Sequence, residues 1–130
     1  MHGMLPTPPF GTFLAALKAA GVATGSARRF WGGVTPEGKI VVTSWTDLND
    51  GHGRFYIWRP ETNHGGLKTA WQVGNIRVGT EVRMILLRQR GNAPIGTPRS
   101  VAGAALMPGL WCVVEMVANE DWQAVIEQVS

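Results

Sequence analysis

The chain has few of the residues from which active sites are usually built. It contains one cysteine, three histidines and nine acidic residues among 130. A lone cysteine excludes an internal disulfide, and Cys112, inside the apolar residues 110–114, is expected to be a buried core thiol. No serine lies in a nucleophile-elbow pattern, and no histidine is close to Cys112 in the sequence. We therefore predict no catalytic residues and no cofactor, which favours binding over catalysis.

Metal-ligand spacing is also missing. Residues 47–52 are rich in Asp, Asn and His, but they lack the alternate-residue spacing and the terminal Glu of a calcium loop. No second histidine follows at the spacing of a zinc site. Asn, Asp and Gly are what tight turns require, so we interpret this stretch as a hairpin turn and predict no bound metal. An enzyme that uses Asp50, His52 or His64 on a small polar substrate stays open as an alternative hypothesis.

Long hydrophobic runs are absent too. Uninterrupted apolar runs extend over only a few residues, far below the roughly 18 to 20 that cross a bilayer. The first residues lack the basic start, apolar stretch and small-residue cleavage site of a secretory signal. We expect a cytoplasmic protein with no membrane partner. A length of 130 residues with 45% hydrophobic content is typical of one folded domain, residues 1–130.

Positive charge is concentrated in the first part of the chain. All twelve Lys and Arg residues lie at or before Arg99, together with five acids, which gives this part a net charge of +7. The remaining residues carry four acids and no base. Nine of the twelve basic residues are arginines, whose planar guanidinium suits bidentate contacts with phosphates or base edges. The pattern favours a polyanionic partner.

The period of the apolar residues predicts one helix at each end of the chain. Near the N-terminus Thr7 is a candidate cap. An apolar stripe at helical spacing follows and ends at Gly21; it consists of Phe10, Phe13, Leu14 and Leu17. Near the C-terminus Asn119 is a candidate cap, followed by Trp122, Val125, Ile126 and Val129 at the same spacing.

Between these helices the pattern changes to strands and turns. β-Branched and aromatic residues bounded by Gly, Pro and Asn predict strands over 30–34, 39–45, 55–58, 81–88, 100–106 and 110–117. The second and third of these are expected to form a hairpin, and Pro108-Gly109 separates the last two. Five or six short strands with two helices predict an α+β fold, namely a small, mostly antiparallel curled sheet or open β-barrel with an N-terminal and a C-terminal helix.

Six tryptophans are the unusual feature of a chain with one tyrosine and four phenylalanines. Trp111 and Trp122 belong to apolar patterns and are expected in the core. Trp31 follows Arg28-Arg29-Phe30, and Trp58 directly precedes Arg59. Trp71 lies in a polar stretch between Lys68 and Gln72. Aromatic faces interleaved with arginine are what stacking on a nucleobase requires. Indoles at the edge of the core, covered by arginine stems, are the alternative explanation. We predict ligand contacts by Phe30, Trp31, Trp58, Arg59 and Trp71, and nucleic-acid backbone contacts by Arg28, Arg29, Arg77, Arg88 and Arg90.

Three segments together resemble a known family. They are a Trp-x-x-Gly at 71–74, a glycine turn leading into an apolar strand over 76–91, and an Ala- and Gly-rich strand over 99–106. This pattern is similar to that of EVE and related PUA-like domains, including the base-reading domains of modification-dependent restriction endonucleases, although Thr80 stands where that family usually has aspartate. The resemblance implies an open barrel closed by helices, and extrusion of a modified base into an aromatic pocket.

Two functional hypotheses follow from these observations. The first is a nucleic-acid-binding module for DNA or RNA that reads modified bases through an aromatic pocket. The second is an accessory protein of a bacterial or phage system that binds a protein partner through exposed Trp and Arg anchors, because these residue types also dominate protein interfaces. Salt dependence of binding separates the two, since phosphate contacts weaken steeply with salt.

Overall fold

The computed structural model describes residues 10–22, 33–58, 77–92, 100–116 and 122–129. These residues form one short helix and a mixed sheet, so the chain has a sheet-dominated α+β fold. In chain order the elements are α1 (Phe13–Ala20), β1 (Gly33–Val34), β2 (Ile40–Trp45), β3 (Arg54–Trp58), β4 (Glu81–Arg90), β5 (Ser100–Leu106), β6 (Trp111–Met116) and β7 (Trp122–Gln128). The helix is eight residues long, and no helix in the described ranges is long and apolar enough to cross a membrane.

The sheet curls but is not closed. Its strand order is β1-β2-β4-β6-β7-β3, with β5 pairing β4 beside β6. β2 pairs β4 in parallel, whereas the other ladders are antiparallel, as the sequence predicted for most neighbours. At the far end of the path, the Tyr56 N–H donates to the Leu48 carbonyl at 3.0 Å. The predicted hairpin is therefore limited to the segment after β2, where Asn49 forms an antiparallel bridge with Phe55 of β3.

β5 and β6 both pair with β4 in antiparallel orientation, and together they resemble one strand with an interruption. β5 pairs the second half of β4, and the Met107 N–H then donates to the Met84 carbonyl at 2.8 Å. β6 resumes the pairing only at the first two residues of β4. The break at Pro108-Gly109 is where the sequence predicted it, because proline cannot donate to a ladder and Gly109 has a positive φ of 78°.

Two apolar clusters lie on opposite faces of β4, because side chains alternate along a strand. The helix-side cluster contains Leu17 of α1 with Ile85 and Leu87 of β4. The strand cluster lies on the other face, where β2, β3, β4, β6 and β7 all contribute. Its largest member is Trp111, which is 0% exposed and touches Phe55 edge-on at 5.6 Å between ring centroids. The core position predicted for Trp111 is confirmed.

The predicted C-terminal helix is wrong, because residues 122–128 form β7. β7 is a central strand that pairs β6 on one side and β3 on the other. Three consecutive residues, Ala124, Val125 and Ile126, are buried. A strand covered on both faces carries apolar residues without strict alternation, and here their spacing coincided with that of a helix. The candidate cap Asn119 lies outside the described residues.

The N-terminal helix is shorter than predicted. It begins at Phe13, with Thr12 as its N-cap: the Thr12 hydroxyl accepts from the Ala15 N–H at 3.0 Å. It ends at Gly21, as predicted, with a φ of 84°. Gly11 is extended and bridges to β5, so a helix starting after Thr7 is incompatible with the described residues. Cys112 is half-buried, which corrects the predicted fully buried thiol.

Candidate functional site

The last three residues of β4 form a basic, exposed end, which we call the arginine end (residues 88–90). Along residues 82–87 the strand is paired with β2 and is largely buried. β2 ends at Trp45, opposite Leu87, so the strand continues with β5 as its partner. Arg88 and Arg90 are both exposed there. The β4–β5 ladder shifts register between Arg88 and Gln89, but the extra residue, Ala102, belongs to β5. As residues i and i+2 of β4, the two arginines share a face.

Arg88 does not extend freely into solvent. Its guanidinium carbon lies 4.7 Å from the centroid of the Phe10 ring, within the distance at which a cation and an aromatic ring attract each other. Phe10 itself is half-buried and packs against the strand cluster. The ring therefore forms a fixed support beneath a charged, planar group.

The position of Phe10 is set by backbone pairing. The Gly11 N–H donates to the Ala104 carbonyl at 2.9 Å, and the Ala104 N–H donates to the Gly11 carbonyl at 2.8 Å. These two bonds attach residues 10–12 to the edge of β5 just before the capped start of α1. The backbone that directly follows Phe10 is thus fixed by β5 and by the start of α1.

Gly103 provides the space for this contact. It pairs with Arg88 across the β4–β5 ladder, so a side chain on its Cα would point toward the stack. A Cβ added there would lie 3.0 Å from Phe10 Cβ and 3.3 Å from Arg88 Nη2. Both distances are tighter than most real contacts of a Cβ atom. Only glycine leaves room for the ring and the guanidinium in their present positions.

The electrostatics of the arginine end favour an anion. Arginine stays protonated at any physiological pH, and in the described part of the chain neither Arg88 nor Arg90 makes an ion pair. A guanidinium stacked on a ring keeps its in-plane N–H donors available for phosphate or carboxylate oxygens. The arrangement offers two cations on one face, one of them preoriented.

The structure separates the arginines that the sequence grouped together. Arg77 is exposed in the turn before β4, where its N–H donates to Thr80 Oγ1 at 3.1 Å. β4 has ten residues, so Arg77 lies about 30 Å from the arginine end at the usual rise per residue. Arg88 and Arg90 lie together, and Arg77 is at the opposite end of the same strand.

The predicted aromatic pocket lies largely outside the described residues. This applies to Arg28, Arg29, Phe30, Trp31, Arg59 and Trp71. Trp58 is the last residue of β3, where its backbone pairs opposite Trp122 of β7 next to a register shift. The structure therefore gives the strand position of Trp58, and the aromatic pocket stays a prediction.

The polar loop before β3 is a turn, as interpreted from the sequence. Asn49 Oδ1 accepts from the Gly51 N–H at 2.9 Å, and Asp50 Oδ1 accepts from the His52 N–H at 2.8 Å. The hydrogen bond from the His52 N–H lowers the pKa of Asp50 below its ordinary value. Within the described ranges no group of three His, Cys, Asp or Glu residues is placed to hold a metal ion.

Two residues that contact the arginine end were missed at the level of sequence. Phe10 belongs to the predicted helical stripe and Gly103 to the predicted strand over 100–106, and no local pattern connects either with Arg88. The contact between Phe10 and Arg88 joins residues 78 positions apart in the chain. It depends on the pairing of Gly11 with Ala104, which sequence periodicity does not report.

No protein-family model, curated protein or solved structure matches the chain.

Proposed function

We propose that this chain is a nucleic-acid-binding module whose phosphate contacts centre on the arginine end of β4. The observation that carries the proposal is the pair Arg88 and Arg90, exposed on one face, with Arg88 held on the Phe10 ring. The surrounding sequence supports it, because residues up to Arg99 carry a net charge of +7. Clustered arginines of this kind supply the salt-dependent part of nucleic-acid affinity.

We extend the proposal to base recognition through an aromatic pocket. The resemblance to EVE and PUA-like domains implies an open barrel that receives a modified base, and Trp31, Trp58 and Trp71 are our candidates for its walls. In the curled sheet, β3 lies at the far end of the strand order and its Tyr56 N–H donates to Leu48, just after β2. This arrangement is compatible with such a barrel. Each stacked base is expected to contribute about 1 to 3 kcal/mol.

The test is oligonucleotide binding, measured by fluorescence anisotropy at several salt concentrations with modified and unmodified bases. We expect Arg88→Ala or Arg90→Ala to weaken binding to all sequences about equally and to reduce the log-log salt slope by about one for each lost phosphate contact. Replacing Trp58 with alanine is expected to change selectivity among bases with the salt slope retained.

Lys39→Ala is the matched control. Lys39 is exposed and directly precedes β2; because β2 and β4 are parallel, it lies at the end opposite Arg88. The variant removes one positive charge without touching the arginine end.

Wild-type protein that binds no DNA or RNA more tightly than about 100 µM at low salt would overturn the proposal. Binding of a protein partner with little salt dependence would support the accessory-protein alternative in its place.

A further inference from the structure

The guanidinium of Arg88 is a flat cation that lies over the Phe10 ring. Its central carbon is 4.7 Å from the ring centroid. Arg88 is exposed, and no second aromatic ring among the described residues stacks on it. A planar cation fixed on one side and open on the other is a stacking surface for a further flat, electron-rich ring.

We propose that the open face of Arg88 stacks on an unpaired nucleobase, which gives a three-layer arrangement of Phe10, Arg88 and base. This inference rests on the proposed function and names its ligand class as single-stranded nucleic acid. Bases inside a duplex are already covered above and below by their neighbours, so a base face becomes available only where the strand is unpaired or the base is extruded.

The geometry makes Phe10 a positioning residue that does not touch the ligand. The backbone bridge between Gly11 and Ala104 holds the ring in place, and Gly103 leaves the space in which the ring and Arg88 meet. A long arginine side chain normally loses rotamer freedom when it binds. Here Phe10 restricts Arg88 before the ligand arrives, while the in-plane N–H groups remain available to a phosphate of the same nucleotide.

The experiment compares two probes, a fluorescent single-stranded oligothymidylate and a blunt duplex of equal length, at one fixed salt concentration. Phe10→Leu keeps an apolar side chain of similar size but removes the aromatic ring. We expect it to weaken single-strand binding by about threefold to tenfold and to change duplex binding by less than about twofold. Phe10→Tyr retains the ring and is expected to restore single-strand binding.

Two further variants test the same stack. Arg88→Lys keeps the charge but loses the planar group, so it is expected to retain the salt slope and to lose the preference for the single strand. Gly103→Ala introduces a methyl group against Phe10 and Arg88. This variant is also expected to lose the preference for the single strand. Ala102→Ser, at the exposed neighbouring position, is the control and is expected to bind like the wild type.

The outcomes separate this inference from the proposed function. If the wild type binds neither probe, the proposed function itself fails. If it binds both probes and Phe10→Leu and Arg88→Lys weaken them equally or not at all, the stack is wrong while the proposed function stands. Thermal denaturation of each variant establishes that it is folded at the assay temperature, and Arg88→Lys decides the matter if Phe10→Leu is not folded.

Discussion

The two ends of strand β4 differ in what surrounds them. At its start, Val82 lies between Ile40 of β2 and Trp111 of β6, and all three are buried. At its end, Arg88 and Arg90 are exposed, and β5 is the neighbouring strand. The same strand therefore passes from a fully paired core into a charged edge within ten residues.

This difference separates stability from binding. The buried part of β4 contributes through apolar area removed from water, and its neighbours are the residues whose truncation leaves cavities. The arginine end contributes little apolar area, and Arg88 there contacts the Phe10 ring. Variants near the start of β4 should consequently change unfolding, and variants at its end should change binding.

The largest effect on stability is expected from Ile126→Ala. Ile126 is 0% exposed and lies in β7, opposite Val113 on one side and Phe55 on the other. Removing its side chain should lower the free energy of unfolding by about 2 to 5 kcal/mol. Val129→Ala, at the 53% exposed end of the same segment, is the control. Equal urea-denaturation midpoints for the two variants would contradict the central position of β7.

Leu17→Ala should have a smaller effect, toward the lower end of about 2 to 5 kcal/mol. Leu17 is 0% exposed in the helix-side cluster, but α1 is only eight residues long and can shift to fill the space. Leu14 lies on the same helix and is 37% exposed, so Leu14→Ala is the matched control. A melting temperature of Leu17→Ala within a degree of the wild type would mean that α1 does not pack on the sheet.

Most of the strand positions could be predicted from sequence, and the reason is local. β2, β3, β4 and β6 are rich in β-branched or aromatic residues and are bounded by Gly or Pro, so their ends lie within a few residues of the prediction. β7 could not be assigned correctly, because a strand buried on both faces need not alternate, and the apolar residues of 122–129 coincided with a helical spacing. Local patterns do not reveal how many neighbours a strand will have.

The arginine end could be predicted only in part. Arg88 was predicted as the last residue of a strand over 81–88, whereas β4 extends to Arg90. The two arginines therefore lie on one strand, two residues apart, which the predicted boundary did not include. Arg77 precedes β4 and therefore lies at the opposite end of the strand from Arg88 and Arg90; its contact with a nucleic-acid backbone stays a prediction. Phe10 was placed in a helical stripe, whereas the pairing of Gly11 with β5 makes that segment extended.

The smallest expected effect concerns acid. The pKa of Asp50 is lowered in the folded state from its usual 3.8, chiefly by the hydrogen bond from the His52 N–H. Its stabilising contribution is therefore complete above about pH 4 and is lost as pH falls through the lowered pKa. Because the carboxylate is solvent-accessible, the effect should be slight. Melting temperatures of wild type and Asp50→Asn should differ less at pH 3 than at pH 7; an unchanged difference would contradict this assignment.

The salt dependence of oligonucleotide binding tests the central claim most directly. The double variant Arg88→Ala/Arg90→Ala should have a log-log salt slope smaller than that of the wild type by about two. Lys18→Ala/Lys39→Ala removes the same net charge from two exposed positions outside β4 and should retain the wild-type slope. Equal slopes for the two double variants would contradict the claim that the end of β4 is the nucleic-acid interface.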